Sequence, residues 1–320
     1  MRAPVTDRIG YFGKIPARSD FVKVAHHVPI MTMLDEWLAH VMSRLPSSPR
    51  WKLDYDAMAP VSFAFAGPAR RHAVAGHLVA SHDQSGRRFP FLMMRTLDVA
   101  DPAQFVSRSP LAFSPLWTYF ETMAPRIVSS SDPGPHLQSL ADASITLGEA
   151  DAALDGFLAD GTVAALSELL GCPSERLILA LGLLLQPVMH SKPSAVHKSL
   201  VLPLPAAAAR RCAVAAFWLE LVTPFLRRGA FDLALFLTRQ EGQPVLVIGF
   251  CSAAAETLRA IIDPLAARDQ QVGFADTSWV DEQLGLDVDV RALASYLDQP
   301  ELPLAMARDL FLKTFIGAAP

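Results

Sequence analysis

The sequence predicts an α/β fold: a mixed or antiparallel central sheet, or sheets, flanked by helices and arranged as two α/β halves. Three observations predict it. Strand patterns come in adjacent pairs, at 61–66 with 73–80 and at 233–237 with 244–250. Segments with a 3.6-residue apolar period lie between those pairs rather than between single strands, which argues against a doubly wound parallel sheet. Finally, Ser129-Ser-Ser-Asp-Pro-Gly-Pro135 is the clearest linker in the chain, and it separates a first half, residues 1–130, from a helix-rich second half, residues 136–320.

Taken in order, residues 8–13 read as a short strand running into Pro16. Ile30, Leu34, Trp37, Leu38, Val41 and Leu45 then fall on one helical face, and Pro46 and Pro49 stop that helix. Val61, Phe63 and Phe65 alternate with small residues as a half-buried strand does, Gly67-Pro68 turns the chain, and 73–80 is the expected hairpin partner. A third strand is expected at Phe89–Leu97 and a helix at Leu111–Ile127, with Pro115 placed in its first turn because proline breaks helix interiors. Beyond the linker the pattern predicts helices around 136–170 and 174–186, a strand at 200–204, and a helix over 206–226 that Pro224 shortens. Arg227-Arg228 is expected to sit favourably at that helix's C-terminal end. A hairpin with a loop at Thr238–Gln243 follows, and then helices at 253–267 and 289–315, the last broken near Pro300 and Pro303.

Composition narrows the function classes. With 51% hydrophobic and 19% charged residues the chain lies far from the disordered regime. Residues 1–135 hold 15 Lys/Arg against 11 Asp/Glu and residues 136–320 hold 13 against 21. Neither half has the dense basic footprint of a nucleic-acid binder, so a protein partner is expected. Cys172, Cys212 and Cys251 are scattered, which suggests neither a disulfide framework nor a zinc site. The N-terminus lacks an apolar signal region, and the greasiest run, Leu177–Leu185, is about half a bilayer span. A cytoplasmic protein without membrane insertion is expected.

The candidates for chemistry weaken when taken one by one. Gly10-x-x-Gly-Lys14 has two residues between its glycines where a phosphate loop has four, Ile15 follows the lysine, and Pro16 removes a donor. Gly249-Phe-Cys-Ser-Ala253 sits where a nucleophile elbow would, but its spacing places Cys251 as nucleophile and no histidine follows position 197; Ser252 reads as a helix N-cap. His72, His77 and His82 are five apart, so on a strand His77 faces away from the other two and the three do not converge on a metal. No enzyme activity, cofactor or small-molecule substrate is expected. Ser81-His-Asp-Gln-Ser-Gly-Arg-Arg88 is the densest polar cluster between two predicted strands, and Asp83 with Arg87 and Arg88 serves either a partner's anion or an internal clamp.

Two ordered blocks carry a resemblance. Gly10-Tyr-Phe-Gly-Lys-Ile-Pro-Ala-Arg-Ser-Asp-Phe-Val22 is similar to the N-terminal signature of the TagF proteins associated with type VI secretion. The second block resembles that family too: Ala59-Pro60 before a Phe-rich strand, Gly76, then Ser81-x-Asp83-x-x-Gly86-Arg87-x-Phe89-Pro90. Ser19 stands where the family usually has glycine, and would be strained if that position requires positive φ. The resemblance implies a cytoplasmic accessory protein that negatively regulates type VI secretion post-translationally by binding the forkhead-associated scaffold protein of the system. It places the motif and partner-surface candidates at Gly10, Phe12, Gly13, Lys14, Pro16, Arg18, Asp20, Ser81, Asp83, Gly86, Arg87 and Arg88. Asp20 and Asp83 are expected to pair with Arg18, Arg87 or Arg88 across loops that lie side by side, with Asp83 and Arg87 contributing to partner binding more than to stability. Two other readings stand beside this one: a small hydrolase or phosphate-handling enzyme using the 10–20 and 81–90 loops, and a structural assembly subunit.

Overall fold

The computed structural model describes residues 8–190, 196–226 and 231–317. Its frame is one nine-stranded mixed sheet with helices on both faces. The first half supplies β1 (Gly10–Gly13), β2 (Val22–Val24), helices α1 (Val28–Arg44) and α2 (Trp51–Asp56), the strands β3 (Val61–Ala66), β4 (His72–Val79) and β5 (Phe91–Asp98), and the long helix α3 (Pro102–Ser129). Helices α4 (Gly134–Asp142), α5 (Ala150–Asp160), α6 (Val163–Leu170) and α7 (Ser174–Leu185) follow. The chain continues with β6 (Ser199–Pro203), α8 (Ala208–Val222), β7 (Leu233–Gln240), β8 (Gln243–Gly249), α9 (Ala255–Ile262), α10 (Pro264–Gln270) and β9 (Gln271–Val272). Helices α11 (Val280–Leu286), α12 (Val288–Leu297) and α13 (Leu304–Phe315) end it.

The strand order is β2-β1-β5-β4-β3-β7-β8-β6-β9, antiparallel throughout except for the parallel pair β6–β9. The two halves meet inside the sheet, where β3 pairs with β7 from Ser62↔Leu237 to Ala66↔Leu233. On one face α1 and α9 cover Phe63, Phe65 and Phe236, and Trp37 packs among those three rings at centroid distances of 5.7, 5.1 and 6.1 Å. The opposite face is buried under α3, α8 and the helices around them. Both faces being covered explains why β3 is buried at all six positions although its sequence reads as a half-exposed alternation.

The fold class agrees with the sequence expectation; several elements differ. Helix α3 starts nine residues earlier than predicted and holds Pro110, Pro115 and Pro125 in its interior. The hydrogen bond lost at Pro110 is replaced locally. Pro110 has no N–H for the Val106 carbonyl, and Ser109 Oγ donates to it at 2.8 Å. Close to Pro115 a separate segment also docks on the helix, Gly148 N–H donating to the Ala112 carbonyl at 2.9 Å. The loop expected at 238–243 shrinks to Glu241-Gly242, both at positive φ (50° and 80°), a two-residue turn whose twist suits a hairpin. Ser252 is not a helix cap: it sits at φ 48°, its N–H donates to the Asp232 carbonyl, and α9 begins three residues later without a capping side chain. The expectation for Arg227-Arg228 falls outside the described residues.

Candidate functional site

The first motif enters the sheet as β1, held between β2 and β5, so that Gly13 lies opposite Phe91 and directly beside the second motif. Gly13 has φ +135°, and a Cβ there would stand 2.0 Å from the Pro90 carbonyl oxygen. Only glycine fits that close approach, which ties the two sequence blocks together through the backbone. The 81–90 segment is a tight excursion between β4 and β5. Phe89 N–H donates to the Ser81 carbonyl at 3.1 Å, Asp83 N–H to the Arg87 carbonyl at 3.1 Å, and Gly86 closes the turn at φ +78°. The buried Tyr55 hydroxyl fixes its base, accepting from Ser81 N–H and donating to Ser81 C=O, each at 3.0 Å.

Asp83 is the electrostatic centre, with 0% of its surface exposed. Its Oδ2 accepts from Lys14 Nζ at 2.8 Å and Arg87 Nε at 2.7 Å. Its Oδ1 accepts from Ser85 Oγ at 2.7 Å and from the Ser85 and Arg87 N–H groups at 3.0 Å. Burial alone pushes a carboxyl pKa up, but the hydrogen bonds from Lys14, Ser85 and Arg87 outweigh it and hold Asp83 well below the usual carboxylate range. Lys14 is itself only 7% exposed, so both members of this ion pair belong to the interior. The two loops lie side by side as expected: Arg87 Nη2 donates to the Ser19 carbonyl and Gln84 N–H to the Arg18 carbonyl, both at 2.9 Å.

Asp83 pairs with Arg87 as expected, while the rest of the pairing inside the junction differs from the expectation. Asp20 accepts from its neighbour Phe21 N–H at 2.8 Å and, among the described residues, joins no arginine, because it sits at the exposed turn before β2. Arg88 pairs with Asp56 of α2 through both guanidinium nitrogens (2.8 and 2.6 Å) instead of with Asp83. Ser19 is free of the strain its position suggested: among the described residues only Glu241 and Ser252 combine a side chain with positive φ. The predicted partner-surface residues therefore separate into two groups. Gly10, Phe12, Gly13, Lys14, Ser81 and Asp83 are buried and make the scaffold, while Arg18, Asp20, Gly86 and Arg87 are exposed and Pro16 and Arg88 are half-buried.

Tyr55 and Asp56, which anchor this scaffold, follow the first predicted helix and carry no motif that sequence reasoning would single out. Phe21 is the other addition. It stacks on Phe12 at 5.1 Å with an interplanar angle of 2° and meets Phe89 edge-on at 5.0 Å, yet is 42% exposed. Lys14 Nζ lies 5.0 Å from the Phe21 ring and Lys23 Nζ 5.3 Å from that of Phe12. The result is an exposed aromatic on a rigid base, with Arg18, Lys23 and Arg87 exposed near it in sequence or space.

The remaining histidines and thiols make separate local contacts. His72 pairs with Asp98, His77 is buried against Ser62, and His82 Nδ1 lies 2.8 Å from the Asp83 carbonyl. Among the described residues no group of three or more His, Cys, Asp and Glu side chains is placed to hold a metal ion.

Residues 10–143 match the family model of the TagF N-terminal domain, described as type VI secretion system-associated. No curated protein sequence matches the chain. Among solved structures the chain is similar to that of PA0076 from Pseudomonas aeruginosa PAO1, with 15% sequence identity and a TM-score of 0.45 over 80% of this chain and 94% of that one.

Proposed function

Because residues 10–143 belong to the type VI secretion-associated TagF N-terminal domain family, we propose that this chain is a non-catalytic, cytoplasmic accessory protein that restrains type VI secretion post-translationally by binding the system's forkhead-associated scaffold protein. The observation that carries the reading is the surface built by the two motifs. Phe21 stands out of a packed aromatic base with Lys14 Nζ 5.0 Å from its ring, and Arg18, Lys23 and Arg87 are exposed on the same two loops and the strand that follows. Aromatic residues and arginines on a preorganised base are the side chains from which interface hot spots are made. The complementary face on the scaffold is an apolar pocket with an acidic rim.

The state of Lys14 and Asp83 supports the non-catalytic reading over the enzyme alternative. Lys14 and Asp83 are bound to each other in the interior, and Asp83 has every lone-pair direction occupied by a donor, so neither is free to move a proton for a substrate. A cytoplasmic location is consistent with the finding that no helix among the described residues is long and apolar enough to cross a membrane.

The test uses Phe21→Ala and Arg18→Glu, whose side chains lie at the surface, rather than a change at the fully buried Asp83. Capture of the purified scaffold protein by the double variant should fall about tenfold or more, with the melting temperature lowered by no more than about 5 °C. Wild-type protein that retains no scaffold sinks the partner assignment. Undiminished capture by the variant sinks the assignment of the surface.

A further inference from the structure

Away from the two motifs, both halves of the chain frame an open cavity of about 810 Å³, a size typical of small-molecule sites. Its apolar walls include Val79 of β4, Trp117 and Val128 of α3, and Leu237 of β7. Its polar groups converge in two sets.

The first set is on the floor. Ser62 (3% exposed) and His77 (2% exposed) are partners in the β3–β4 register, with Ser62 Oγ 2.9 Å from His77 Nδ1 and 3.3 Å from Glu121 Oε1. A hydroxyl has one hydrogen, so both contacts are satisfied together when Nδ1–H donates to Oγ and the hydroxyl donates to the carboxylate. Burial lowers the His77 pKa to about 4, which leaves the ring neutral near pH 7.

The second set is at the rim. Arg211 donates to the carbonyls of Pro205 (3.0 Å) and Ala206 (2.7 Å), and Arg239 to that of Gly242 (3.1 Å). Neither forms a salt bridge among the described residues. Burial and the neighbouring Arg239 charge both lower the Arg211 pKa, so two like charges face the same space. Helix α8 begins at this rim with Ala208 and Ala209, and no side chain caps its first N–H groups. Burial pushes the Cys212 thiol up to about 11, so it contributes no charge. Two guanidinium groups against the single Glu121 carboxylate leave the lining with a net positive charge.

From this charge and shape we infer that the cavity binds a small amphipathic monoanion, its acid group seated between Arg211 and Arg239 and its hydrocarbon body lying along Val79, Trp117 and Leu237. The site is distinct from the motif surface, and its occupancy does not depend on the secretion assignment.

The experiment titrates the full chain with anilinonaphthalene sulfonate, an aromatic monoanion that fluoresces in apolar sites, and then displaces it with decanoate, decanol or decyltrimethylammonium. One saturable dye site is expected, displaced by decanoate at about tenfold lower concentration than by decanol and not by the cation. Arg239→Gln, at an exposed side chain, should weaken decanoate about tenfold, and Ala208→Trp, which fills the rim, should abolish displaceable dye binding. Equal displacement by decanol, or undiminished decanoate affinity in Arg239→Gln, overturns the anion assignment. Dye binding that survives Ala208→Trp overturns the location, and the absence of a saturable site overturns the proposal outright.

Discussion

A carboxylate with no exposed surface persists in an ionised form only when donors replace the water it has lost. Asp83 has five such contacts, and removing its side chain strands Lys14 in the interior with no counter-charge. Asp83→Ala should therefore lower the melting temperature by roughly 5–10 °C, the scale expected when one member of a buried ion pair is deleted. This corrects the expectation that Asp83 serves partner binding with little effect on stability; a variant that melts like wild type would restore that expectation. His77 yields a pH-dependent prediction. Its folded pKa is about 4, against about 6.5 in an unfolded chain. Between those values the unfolded state binds the extra proton, so stability is full above about pH 6.5 and is lost as pH falls towards 4. The loss is roughly 3 kcal/mol. Urea unfolding of wild type and His77→Gln at a series of pH values checks it: wild type should lose roughly 3 kcal/mol relative to the variant as pH falls across that window, and parallel profiles would refute the assignment.

Among elements, those governed by local pattern were readable and those governed by tertiary contacts were not. The apolar stripe of α1 from Leu34 to Val41 is buried as its spacing requires, and both hairpins form where alternation and turn residues place them. Helix α3 defeated the proline rule: at Pro110 the Ser109 hydroxyl supplies the bond the ring removes, and the helix is packed along its length against the sheet, neither of which the proline-containing stretch shows. In the motif region the sequence located the two blocks and their adjacency. The choice of Lys14 rather than Arg18 as the partner of Asp83 depends on β1 lying beside β5, a contact between segments about eighty residues apart. The Ser62–His77 pair was hidden for a similar reason: a lone histidine in a strand acquires meaning only once the cross-strand register is known.

For the molecule as a whole, the join between β3 and β7 governs stability. Phe236 packs with Trp37 and Phe65, and the apolar clusters on both faces of the sheet draw residues from both halves. Unfolding either half removes strand partners and apolar cover from the other, so the two are expected to unfold in one cooperative transition. Denaturant curves followed by tryptophan fluorescence and by far-ultraviolet circular dichroism should coincide, and two separated transitions would show that the halves are energetically independent. The uneven charge noted in the sequence, basic before residue 135 and acidic after it, thus lies on one continuous framework rather than on two tethered bodies.

That framework ends at one side in β2, three residues long, and at the other in β9, two residues long. A broad sheet with long bare margins would template its own aggregation, whereas margins this short expose very little unpaired backbone. They also restrict how another protein can dock. Adding a strand at either margin would gain only a few main-chain hydrogen bonds, far fewer than that mode of recognition relies on. Next to β2, selectivity must come from the side chains that project there, with Phe21 first among them.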